Sequence, residues 1–229
     1  MPEIITDSIS FPTATDPMPG YLAHPAGGAP APAVIVIQEW WGVDEHVKDV
    51  ARRFAEQGYV ALAPDLYRGQ VTNEPSRAEK LMMNLQLPKA TDELVHAAAW
   101  LRGQPFVSGA KMGAIGFCMG GGLVTSLASN SAEIGAGASF YGVIGDPIDQ
   151  VKGISGKLLA VYAEHDDWAD QGSADALRRK LDEYGVESEF IVYPGTHHAF
   201  FNDTGEGFDR AARDDAWQRV LAMFSERLK

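Results

Sequence analysis

Cysteine is nearly absent: the 229 residues contain one, Cys118. A single thiol closes no internal disulfide and builds no thiolate zinc site, which fits a reducing compartment. Long apolar runs are also missing. No stretch approaches the roughly 18 apolar residues of a membrane span, and no basic region followed by an apolar core opens the chain. Neither a transmembrane helix nor a signal peptide is expected, and the expected location is cytoplasmic. Positive charge is in deficit, with 19 Lys and Arg against 31 Asp and Glu and a formal net charge of −12. A field of that sign disfavours nucleic acid and anionic membrane surfaces; its plainest role is to keep the protein soluble. The glycines follow neither G-x-G-x-x-G nor G-x-x-x-x-G-K-[ST], so no phosphate-cradling loop is read.

With 45% hydrophobic residues, the chain can bury one sizeable core, and residues 1–229 read as one domain. Short alternating runs at Ile4 to Ile9 and Tyr21 to Ala23 suggest an antiparallel edge pair. The β-branched run Ala33 to Ile37 suggests a strand buried on both faces. Asp44 is placed to cap a helix whose apolar face is Val47, Val50, Ala51, Phe54 and Ala55, and Gly58 stops it. Strands follow at Tyr59 to Ala63, Met112 to Ile115, Gly137 to Tyr141, Leu158 to Ala163 and Glu189 to Tyr193. Helices are expected at Ala78 to Leu85, Thr91 to Arg102, Leu123 to Ala128, Ser173 to Tyr184 and around Trp217 to Leu228. Such alternation predicts an α/β fold with an open, mostly parallel sheet and helices on both faces. Right-handed crossovers place every loop after a parallel strand at one sheet edge, where ligands bind. The polar excursion after Pro64 is long enough to cover a substrate.

The chain is organised around Gly116-Phe117-Cys118-Met119-Gly120, set between a strand and a helix. This is the nucleophile-elbow pattern with cysteine at the apex. Glycine two positions on either side avoids clashes in a strained turn, and the start of a helix favours thiolate over thiol. A lone cysteine is otherwise a small buried hydrophobe; the strand, the glycine spacing and the helix favour the nucleophile.

Gln38-Glu39, Asp166-Asp167 and His197-His198 each follow a predicted strand, so they should meet Cys118. A thiol needs a base to take its proton and return it to the leaving group, and imidazole suits both tasks. A carboxylate would then fix the imidazole tautomer. Nucleophile, acid, histidine is also the chain order of α/β-hydrolases. His198 is preferred to His197, and Asp166 to Asp167. A metal site from His165, Asp166 and His198 lacks helical ligand spacing, so neither metal nor cofactor is expected.

Gln38-Glu39, Pro64-Asp-Leu-Tyr67, Gly116-Phe-Cys-Met-Gly-Gly121, the segment around Asp166 and Gly195-Thr-His-His-Ala-Phe200 together resemble the dienelactone hydrolase family of α/β-hydrolases, in order and over nearly the whole chain. The resemblance implies hydrolysis of an ester or lactone, with Cys118, Asp166 and His198 as triad and Glu39 holding or deprotonating the thiol. It implies an oxyanion hole from the Met119 and Trp40 N–H groups. Family members grip a substrate carboxylate with two arginines. Here Pro75 takes one position, with Arg77 nearby, and Asn202 takes the other; an amide does not replace a bidentate guanidinium. Trp40, Trp41, Trp168, Phe117 and Phe201 are expected at the same sheet edge as a more apolar wall. The expected partner is a small ester or lactone, and the expected assembly a monomer or small homo-oligomer. A thioesterase and a catalytically silent small-molecule binder are the alternatives.

Overall fold

The computed structural model describes residues 3–14, 16–144 and 148–228. Among these, eight strands form one sheet: β1 (Ile4–Phe11), β2 (Met18–Pro25), β3 (Ala31–Ile37), β4 (Val60–Pro64), β5 (Val107–Phe117), β6 (Ile134–Phe140), β7 (Lys157–His165) and β8 (Ser188–His197). Their order is β1-β2-β4-β3-β5-β6-β7-β8. The first two strands pair antiparallel and sit at one edge, β2 meets β4 antiparallel, and all later pairings are parallel. This is the mostly parallel α/β sheet with an antiparallel edge that the strand pattern predicts.

Five helices alternate with the parallel strands: α1 (Glu45–Glu56), α3 (Leu87–Arg102), α4 (Met119–Asn130), α5 (Gln171–Glu183) and α6 (Arg210–Leu228). Between β4 and α3 lies α2 (Pro75–Asn84), and a 3-10 helix spans Ile148–Gly153. Asp44 caps α1 as expected, its Oδ1 accepting the Val47 N–H at 3.1 Å. The apolar stripe of α1, including Val47, Val50, Ala51 and Phe54, is fully buried. Phe54 stacks on Phe224 of α6 with ring centroids 5.7 Å apart, so these helices share one face of the sheet. The central strands β3 and β4 are buried along almost their whole length, as a continuous apolar run requires.

Two helices start earlier than their apolar periodicity suggests. Helix α3 begins at Leu87, not Thr91, because Pro88 suits the first turn. Helix α4 begins at Met119, not Leu123. Its first turn, Gly120-Gly121-Gly122, has poor intrinsic helix propensity, and close packing overrides it: a Cβ on Gly120 would lie 2.5 Å from the carbonyl oxygens of Ile37 and Gln38. The α4 N-terminus is thereby seated on the C-terminal end of β3. No helix among the described residues is long and apolar enough to cross a membrane.

Candidate active site

Strand β5 ends at Phe117 and α4 starts at Met119, leaving Cys118 alone at the junction with φ 55° and ψ −119°. A non-glycine residue pays for that conformation in strain. The Cys118 N–H donates to the Phe140 carbonyl at 3.0 Å, and its own carbonyl accepts the Gly121 N–H at 2.9 Å. These bonds hold the turn. A Cβ on Gly116 would collide with the Gly120 carbonyl, so both elbow glycines answer to the close approach of strand and helix. The thiol is left half-buried at the sheet edge.

The loop after β8 supplies His198, whose Nδ1 lies 2.7 Å from Asp166 Oδ2. The Asp166 side chain is fully buried, and that of His198 is 25% exposed. The other carboxylate oxygen of Asp166 accepts the Trp168 and Ala169 N–H groups, each at 2.9 Å. Burial disfavours the charged Asp166; the His198 hydrogen bond and those N–H groups overcome it and hold the carboxyl below its ordinary value. Burial likewise pulls the His198 imidazole down, but hydrogen bonds to Asp166 and Cys118 outweigh it, and the imidazole is pushed up to about 10. Asp167 and His197 are exposed, and the His197 ring lies 5.3 Å from that of His165. His198 and Asp166 are paired with each other, and His198 lines the same cavity as Cys118.

Glu39 is buried at 3% exposure. Its Oε2 accepts a 2.8 Å hydrogen bond from Asn202 Nδ2, and its Oε1 has no partner among the described residues. Burial raises the Glu39 carboxyl to about 7, against the pull of Asn202. Its hydrogen bond runs to Asn202, not to Cys118. Asn202 is itself committed: its Oδ1 accepts from the Thr204 N–H and hydroxyl at 3.0 and 2.7 Å. Gln38 is fully buried and its Oε1 accepts the Leu66 N–H at 3.0 Å, tying the end of β3 to the loop after β4. Among the described residues, neither the Trp40 nor the Met119 N–H donates a backbone hydrogen bond in the turns, loops and caps.

Cys118 and His198 open onto a cavity of about 720 Å³. Met82 of α2, Leu85 between the helices, and Leu87, Pro88 and Thr91 of α3 form one wall; Gly122, Leu123, Ser126 and Asn130 of α4 form another. Among the lining residues described, none is Arg, Lys, Asp or Glu. The expected aromatic wall is corrected here. Trp40 does gather Trp41 and Trp168, at ring distances of 4.8 and 5.9 Å, but only Trp168 of the five aromatics lines the cavity. Phe117 and Phe201 are fully buried and pack on each other with centroids 5.0 Å apart. Phe117 precedes Cys118 at a strand end, where successive side chains point to opposite faces, so it enters the core. Asn202 and Arg77 do not line the cavity either; Arg77 is exposed on α2. Arg68 pairs with Glu93 at 2.6 Å and lines a separate cavity of about 220 Å³.

Two tyrosines escape the sequence reading. Tyr141 has φ 39°, is buried, and its ring lies 4.8 Å from the His198 ring. Burial, then the charges of Glu39 and Cys118, hold its hydroxyl well above the ordinary value. The Tyr67 hydroxyl lies 3.5 Å from Met119 Sδ, and burial and Cys118 raise it too. For Tyr141 the signal available was a tyrosine directly after a parallel strand, at the edge where ligands bind.

The sequence model of the dienelactone hydrolase family matches residues 18–228. The chain belongs to the dienelactone hydrolase family. A Synechocystis sp. protein named "Putative carboxymethylenebutenolidase" is 33% identical over 99% of each chain. One of the same name from Methylorubrum extorquens is 30% identical over 97% of this chain and 81% of its own length. A solved structure described as a "Putative Dienelactone Hydrolase" from Klebsiella pneumoniae superposes with a TM-score of 0.90 at 30% identity, covering 98% of this chain and 99% of the other. This member of the dienelactone hydrolase family is a hydrolase of the ester or lactone type with the α/β-hydrolase fold.

Proposed function

We propose that the protein hydrolyses a neutral carboxylic ester or lactone through an acyl-enzyme on Cys118. The observation that carries this is the pairing of His198 with buried Asp166 in a cavity that His198 and Cys118 both line and whose described lining has no Arg or Lys. The Cys118 thiol gives its proton to the His198 imidazole, and Sγ attacks the carbonyl carbon. The oxyanion is held by the Met119 and Trp40 N–H groups, aided by the positive end of α4. Collapse breaks the C–O bond of the ester, and imidazolium returns the proton to the leaving oxygen. Water, deprotonated by His198, then cleaves the thioester and regenerates the thiol.

Asp166 fixes the imidazole so that its other nitrogen faces Cys118. Glu39 supplies a buried carboxyl, held by Asn202, that burial raises to about 7. No metal or cofactor is required, and the partner is a small neutral molecule bound by a monomer or small homo-oligomer in the cytoplasm. A substrate carboxylate would enter the cavity without a guanidinium to meet it, and such a charge is costly to bury unpaired.

Steady-state hydrolysis of neutral aryl esters beside dienelactone, by wild type and Cys118→Ala, tests the reading. The expected result is Cys118-dependent turnover led by the neutral esters. Turnover led by dienelactone would overturn the neutral-substrate assignment. Absence of Cys118-dependent turnover on every ester would overturn the mechanism in favour of a silent binder.

A further inference from the structure

Four α4 and elbow residues that line the cavity are Cys118, Gly122, Ser126 and Asn130. They recur at every fourth position, and residues so spaced lie on one helix face. The lining therefore runs along the helix axis for about 18 Å from the nucleophile. Opposite it stand Met82, Leu85 and Leu87, contributed by α2, the link to α3, and α3 itself. The cavity is a trough with chemistry at one end and an aliphatic wall of Met82, Leu85 and Leu87.

We infer that this trough binds an unbranched acyl chain of medium length, so that the preferred substrate is the neutral ester of a medium-chain fatty acid. The inference rests on the Cys118 reading above and assigns its substrate class. The direction of the trough decides which half of the ester lies in it. The acyl group stays on Sγ after the C–O bond breaks, whereas the alcohol must leave beside His198, which donates its proton. His198 is at the Cys118 end; the trough leads away along α4. The chain that fills it is the acyl chain.

Length is set by the same helix. Ser126 lies about 12 Å along the axis from Cys118, and an extended chain advances about 1.2 Å per bond. About ten such bonds cover that distance, so an acyl chain of about ten carbons reaches the level of Ser126 and an octanoyl chain lies wholly short of it. One turn beyond Ser126 the lining carries the amide of Asn130, and the 3-10 helix that supplies Gln150 packs against the same end of α4 at Ser129, so further methylenes lose apolar partners. Asn130 Nδ2 already donates to the Ser126 carbonyl at 2.8 Å.

Ethyl octanoate and octyl acetate have the same composition and differ only in which side of the ester carries the chain. Wild type is expected to prefer ethyl octanoate at least tenfold in kcat/KM, and p-nitrophenyl esters to improve from acetate to octanoate by up to about fourfold per methylene buried. Ser126→Trp, which fills the trough midway, should lower the octanoate-to-acetate ratio at least tenfold. Leu87→Glu, at a 46% exposed position that tolerates charge, should lower it as well. Met83→Ala, 75% exposed and off the lining, should leave the ratio unchanged. Preference for octyl acetate, or a flat chain-length profile in an active enzyme, would overturn the trough while leaving the mechanism intact. Calorimetric titration of Cys118→Ala with methyl octanoate reads the trough without turnover: tighter binding than methyl acetate supports it, equal binding overturns it.

Discussion

Asn202 Nδ2 donates a 2.8 Å hydrogen bond to Glu39 Oε2, joining residues 163 positions apart in the chain. This bond opposes the burial that has raised the carboxyl to about 7. Removing the donor with Asn202→Leu should push the carboxyl higher. The kcat/KM–pH profile is expected to show an inflection near 7 that moves up in Asn202→Leu and vanishes in Glu39→Gln. An unchanged profile in both variants would mean that Glu39 does not act on the reaction.

The two adjacent histidines separate cleanly by environment. His198→Ala should lower kcat by about three orders of magnitude, because the oxyanion hole alone remains. His197→Ala, at an exposed position, should stay within a few-fold of wild type. Matched kinetics on one neutral aryl ester decide it, and equal losses would contradict the assignment.

His46 is buried at 1% exposure, and neither ring nitrogen has a hydrogen-bond partner among the described residues. Burial holds the ring down at about 4, against an ordinary 6.5. The unfolded chain therefore takes up this proton first. The stability of the neutral ring is complete above about 6.5 and is lost progressively as pH falls towards 4. Thermal unfolding of His46→Leu should lose less Tm over that interval than wild type, since leucine also fits beside Phe117 and Phe201.

Two glycine-to-alanine changes should diverge. In Gly120→Ala the new Cβ meets the Ile37 and Gln38 carbonyls at 2.5 Å, and a backbone clash of this kind costs about 1–3 kcal/mol or more. In Gly103→Ala the Cβ meets ordinary contacts from 3.5 Å outward, at φ −77°. That change is expected to be neutral or to stabilise by up to about 1 kcal/mol. Urea denaturation curves compare the two.

Local pattern was enough for the strand and helix alternation, the cap at Asp44, the strand-to-helix turn at Cys118 and the order thiol, carboxylate, imidazole, because each rests on neighbours in sequence or on periodicity. The α4 start was not legible, since three glycines read as a break until their contact with β3 is seen. Nor was the role of Asn202: its position invites a substrate contact, yet its amide is spent on Glu39 and Thr204. The sequence by itself determined which residue types stand after which strands, and hence that a thiol, an imidazole and a carboxylate would share one sheet edge. Packing settled which histidine turns to Asp166, which aromatics sink into the core, and that Met82, Leu85 and Leu87 line the cavity shared with Cys118. Those outcomes depend on where side chains 32 and 163 residues apart meet, and such meetings are set by packing, which no local pattern encodes.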